Sequence, residues 1–110
     1  MDKKTLLKKE QNFLKKNPYG LKLFKKDGTL STNAKNAING SVQRGNKIYY
    51  FTWTGSGRHI NAKDNSAYIE RALKLGGYKF KKGNDSPRGG KEGNYLSLSN
   101  AALKFLNSLT

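Results

Sequence analysis

The residues best equipped for chemistry are the run Gly55-Ser56-Gly57-Arg58-His59 and the carboxylate of Glu10. Small residues leave backbone N–H groups open and the Arg58 guanidinium adds a bidentate donor, so the run could cradle a phosphate. It lacks the Gly-Lys-Ser/Thr ending of a nucleoside-triphosphate loop, and a plain strand-to-helix connection accounts for it more simply. Glu10, His59 and Arg58 are also the residue types of a base, an acid and a phosphate clamp, which is enough for metal-independent RNA cleavage. No spacing motif joins the three. Glu10 reads as a helix carboxylate paired with a neighbouring Lys, and His59, the sole histidine, as a surface loop residue. With no Cys and one His, a metal site would rest on scattered carboxylates. The expectation is a protein that is not an enzyme and that carries no cofactor.

Charge points elsewhere. The 110 residues hold 22 Lys and Arg against 7 Asp and Glu, a net charge of +15, and that self-repulsion weakens the compact state unless a polyanion or acidic partner faces it. Six cations are candidate phosphate contacts: Arg58, Lys79, Lys81, Lys82, Arg88 and Lys91. Tyr95 and Trp53 are candidate stacking partners for unpaired bases, an interaction worth about 1–3 kcal/mol per base. The expected function is nucleic-acid binding, DNA or RNA, mainly by phosphate contacts with aromatic stacking beside them. A second reading is a small inhibitor or adaptor of the kind mobile elements encode, binding a larger nucleic-acid-processing protein or nucleoprotein complex through the same basic surface. Attachment of the first helix to anionic membranes ranks below both.

These residues need a scaffold, and 110 residues is the size of one domain with one core. Apolar residues are only 35%, so the 11% aromatics must supply much of the buried area. The start has no apolar run of signal-peptide length, and no segment approaches a membrane span, so a cytoplasmic protein is expected.

Residues 2–16 form the N-terminal helix, with Leu6, Leu7, Phe13 and Leu14 on one face and Glu10 in the middle of that stripe. Leu21 to Lys26 is a short strand or extended arm ending in an Asp27-Gly28 turn. The core region spans 31–110. Ser31-Thr32 caps a helix with Ala34, Ala37 and Ile38, stopped at Gly40, and 41–46 is loop. Lys47 to Thr54 is the clearest strand. Asp64, Asn65 or Ser66 caps a helix carrying Tyr68, Ile69, Ala72, Leu73 and Leu75, supported by a Glu70–Lys74 pair and ended by Gly76-Gly77. Tyr78 to Lys82 and Asn94 to Ser99 alternate as a hairpin with a mobile tip at 83–93, and Ser99 or Asn100 caps a last helix. The fold class is α+β: three antiparallel strands, four if 21–26 joins, with three to four helices mainly on one face.

Alternation puts Tyr78 and Phe80 in the core and Lys79, Lys81 and Tyr95 on the solvent side of the hairpin. For strand 47–54 two orientations stand. With Ile48 and Tyr50 inward, Tyr49, Phe51 and Trp53 complete an aromatic and basic platform; with the bulkier set inward, as large aromatics usually are, the platform is lost.

The helix before LGGYKF, the basic hairpin and the closing helix, residues 66–110, resemble the double-stranded-RNA-binding-like fold of the HicA toxin family. That family's catalytic His, in a Gly-Ser-His context on the hairpin, has no counterpart where Gly83-Asn84-Asp85 follows Lys81-Lys82. The resemblance therefore implies a fold and not an inherited ribonuclease.

Overall fold

The computed structural model describes residues 3–50, 62–90 and 93–110, with side chains of its third helix described from Ser66 onward. In chain order the elements are α1 (Lys3–Lys16), α2 (Thr32–Asn39), β1 (Val42–Arg44), β2 (Lys47–Tyr49), α3 (Ala62–Gly76), β3 (Lys81–Asn84), β4 (Asn94–Ser97) and α4 (Asn100–Ser108). The strands form one antiparallel sheet in the order β1-β2-β4-β3, so the architecture is α+β with helices packed on the sheet.

Period-two alternation sets the sheet's inner face. Ile48 of β2 lies directly opposite Leu96 of β4, and both are completely buried. Against them pack Ile69, Ala72 and Leu73 of α3 and Ala102, Phe105 and Leu106 of α4. Gly76 lets α4 approach: a Cβ there would stand 2.7 Å from the Phe105 ring. Gly77 then turns the chain out of the helix at φ 80°.

Local chemistry explains the helix ends. Ser31 Oγ accepts from the Ala34 N–H and Ser99 Oγ from the Ala102 N–H, each satisfying a first-turn donor that the helix leaves unpaired. In α3 the cap falls elsewhere, because the helix starts at Ala62. Ser66 is inside it, donating to Glu70 Oε2 at 2.6 Å. Glu70 also reaches across to Lys82 at 3.1 Å, the ion pair observed in place of the expected pairing with Lys74.

The fourth strand is not the expected one. Leu21 to Lys26 stays out of the sheet and makes one bridge, Phe24 to Leu30, around a turn in which Thr29 donates N–H and hydroxyl to Asp27 Oδ1. The sheet is completed instead by β1, in the stretch expected to be loop. Its two-residue connection is Gly45-Asn46, with Gly45 at φ 58°, the positive first position that suits the right-handed twist of a hairpin. β1 is tied to α4 by a reciprocal amide pair, Gln43 Nε2 to Asn107 Oδ1 at 2.8 Å and Asn107 Nδ2 to Gln43 Oε1 at 3.3 Å. In the second hairpin β3 begins three residues later than the alternation suggests, and Gly83 and Asn84, expected in the tip, belong to the strand. Asn84 braces the base of the hairpin connection by donating to Gly90 O and Asn94 Oδ1 and accepting from the Ser86 N–H.

Glu10 is buried, as its place in the apolar stripe implies, but its partners are not lysines. Oε1 accepts the Leu23 N–H at 2.6 Å and Oε2 the Phe24 N–H at 2.9 Å. A charged acceptor thereby pins the 17–31 connection to α1 and satisfies two backbone donors beside the fully buried Leu23. Nearby, the Arg71 guanidinium of α3 lies 3.6 Å from the centre of the Phe13 ring of α1. Burial lowers its pKa from the usual arginine value, and the Glu10 charge opposes that shift.

Glu10→Ala should lower stability by about 2–3 kcal/mol, because one buried and one partly buried N–H group lose a charged acceptor. Glu10→Gln, which keeps one acceptor oxygen, should lose about half as much. Urea unfolding midpoints at constant slope measure both.

Candidate nucleic-acid interface

Residues directly opposite one another in an antiparallel sheet share a face, so the pairings dictate what the outer face presents. One row across the four strands reads Arg44, Lys47, Ser97, Lys81. The next reads Val42, Tyr49, Tyr95, Gly83. A cationic row thus runs beside an aromatic one on the side away from Ile48 and Leu96.

The absence of a side chain at Gly83 shapes the aromatic row. A Cβ there would stand 2.5 Å from Tyr95 Cζ, so the Tyr95 ring lies across the glycine. The Tyr49 and Tyr95 rings are 5.6 Å apart, tilted by 57°. Cations border them: the Lys47 ammonium is 4.5 Å from the Tyr95 centroid and the Arg44 guanidinium carbon 5.8 Å from that of Tyr49. The Tyr49 hydroxyl donates a short hydrogen bond to Asp85 Oδ2, which also lies 3.8 Å from the Lys47 Nζ. That bond holds the Tyr49 phenol in its neutral form and raises its pKa above the ordinary value near 10.

Strand β2 takes the platform orientation: Ile48 and Tyr50 are buried and Tyr49 is half-exposed on the outer face. The size preference that favours burying the bulkier set yields to Ile48, whose cross-strand partner Leu96 is already core. Phe51 and Trp53 lie outside the described residues.

The expected contact residues separate. Tyr95 and Lys81 share the outer face, and Lys79 is exposed just before β3. Lys82 sits on the opposite face, beside Leu96, with its ammonium on Glu70 of α3. Arg88 is exposed in the turn beyond β3, while Arg58, His59 and Lys91 fall outside the described residues. Sequence reasoning passed over Arg44, Lys47 and Asp85. Arg44 was findable from Gly45-Asn46, a two-residue hairpin turn that predicts a strand on either side. Lys47 was hidden by an unassigned face, and Asp85 carried no signal.

A second basic concavity, of about 530 Å³, differs in its chemistry: Lys3, Lys25 and Lys35 surround Thr29, Thr32 and Asn36, with no aromatic ring among its lining residues. Among the described residues no His, Asp and Glu cluster could hold a metal, and no helix is long and apolar enough to cross a membrane.

No family model matches the chain, no curated protein matches its sequence, and no solved structure matches it.

Two measurements check this geometry. Tyrosine absorbance, taken as the difference between the protein and Tyr49→Phe, should show a phenol ionising above pH 10, and Asp85→Asn should bring it down. The Tyr49–Asp85 bond is intact below the ordinary phenol value and is lost as pH rises through the raised one. Gly83→Ala should swing the Tyr95 ring off β3, seen as loss of its NMR cross-peaks to residue 83 while the Ile48–Leu96 cross-peaks persist.

Proposed function

We propose that this protein binds nucleic acid through the outer face of its sheet. The observation that carries the reading is the register itself, which lines up Arg44, Lys47 and Lys81 beside Tyr49 and Tyr95 with Lys79 flanking. Cations spaced along strands neutralise successive phosphates, and the affinity comes from the counterions released. Phenol rings at the same level offer π-faces to unpaired bases, whatever their sequence. The net charge of +15 supplies the long-range attraction. Both oxygens of Glu10 are spent on backbone N–H groups, which supports a structural role for that carboxylate and favours binding over RNA cleavage.

Titration of labelled single- and double-stranded DNA and RNA by fluorescence anisotropy tests the reading. Phosphate contacts at Arg44, Lys79 and Lys81, with a full or partial fourth at the Asp85-paired Lys47, predict that affinity falls roughly 20- to 150-fold between 50 and 200 mM salt. Replacing Arg44, Lys79 or Lys81 by Gln should shallow the logarithmic salt slope by about 0.7–0.9, whereas Lys82→Gln, whose ammonium is already paired with Glu70, should change it less. Tighter binding to single strands, with quenching of Trp53, would extend the stacking set to that residue. No binding to any of the four at low salt would reject the reading and turn the face toward an acidic protein partner.

A further inference from the structure

Among the described residues, Asp85 is the one carboxylate on the outer sheet face. It continues the outward period of Lys81 and Gly83, and its Oδ2 takes the Tyr49 hydroxyl while lying 3.8 Å from the Lys47 ammonium. One O–H donor and one cation are the partners a phosphodiester oxygen takes from protein side chains. The pair of groups lies against the tyrosine rings, with the Lys47 ammonium 4.5 Å from the Tyr95 centroid and the Tyr49 ring 5.6 Å from that of Tyr95.

The ionic part of the hold on the carboxylate is weak. The Lys47 and Asp85 side chains are 41% and 44% exposed, and an ion pair so open to water contributes little. A carboxylate and a phosphodiester each carry one negative charge, so exchange of one for the other leaves Lys47 neutralised throughout and lets Tyr49 keep an acceptor.

We propose that the Tyr49 hydroxyl and the Lys47 ammonium form the seat of one backbone phosphate, which Asp85 fills in the free protein and yields to an incoming strand. The proposal rests on the nucleic-acid reading and goes beyond it by naming the atoms that receive a phosphate and the group it must displace. Asp85 is then an internal competitor. The protein binds more weakly than its cations alone would allow, and Lys47, already neutralised, releases fewer counterions than its neighbours.

The test compares the protein with Asp85→Asn, with Asp27→Asn as an equal change of net charge in a distant exposed turn, and with Asp85→Asn combined with Tyr49→Phe. Each is titrated with a short labelled single-stranded oligonucleotide over a range of salt. Asp85→Asn should bind roughly 3- to 10-fold tighter, with a salt slope steeper by about 0.7. Asp27→Asn should gain much less, and the added Tyr49→Phe should return most of the gain by removing the hydroxyl from the seat. Equal gains from Asp85→Asn and Asp27→Asn would overturn the seat, since charge at a distance would explain both. Weaker or unchanged binding by Asp85→Asn would overturn it as well, and either result leaves the nucleic-acid reading standing. No binding by any variant would remove the seat and that reading together.

Discussion

Ile48 against Leu96 is the contact on which the rest of the sheet turns. Side chains alternate along strands, so fixing one buried pair in the middle of four strands assigns every other residue to a face. A slip of one residue would drive Lys47 and Ser97 into the helices and expose Ile48, a change no surface rearrangement could offset. Because both partners are fully buried, that slip is strongly disfavoured, and the order of cations and rings on the outer face inherits the rigidity of the core. A surface arranged this way is held in place by the core rather than by loops.

Electrostatics divides along the same plane. The described acids do structural jobs: Glu10 captures two backbone donors, Asp27 closes a turn, and Glu70 receives Lys82 and Ser66. Each sits away from the outer sheet face. The outer face thus keeps Arg44, Lys47 and Lys81 with a single described acid among them, one of several basic regions that also include α1 and the Lys3, Lys25 and Lys35 concavity. Asp85 is the exception: it sits on the outer face, accepting the Tyr49 hydroxyl and lying beside the Lys47 ammonium.

What could be read from the residues alone was whatever short-range chemistry dictates. Ser31 and Ser99 cap because a hydroxyl meets an unpaired N–H within three residues, and α3 ends at Gly77 because side chains resist the φ of 80° there. Burial of Glu10 followed from wheel geometry, but its partners lie 13 and 14 residues away across a connection without periodicity. β1 escaped because three exposed residues carry no apolar alternation, and the strand is recruited by pairing with β2 and by the Gln43–Asn107 amide pair. The face taken by Tyr49 was open for a related reason: the bulk of a side chain is a local property, and the identity of the residue opposite is not. Lys82 follows the alternation that turns Tyr78 and Phe80 inward and so falls opposite Leu96, away from the outer face where Lys81 lies.

Both borders of the sheet are short. β1 has three residues and β3 four, and they present Arg44, Lys81 and Lys82. Borders so brief and so cationic make poor templates for a strand from another copy, and mutual repulsion discourages sideways joining. Copies crowded together at high concentration could therefore lie edge to edge without merging into a continuous β-ribbon, each remaining a separate particle.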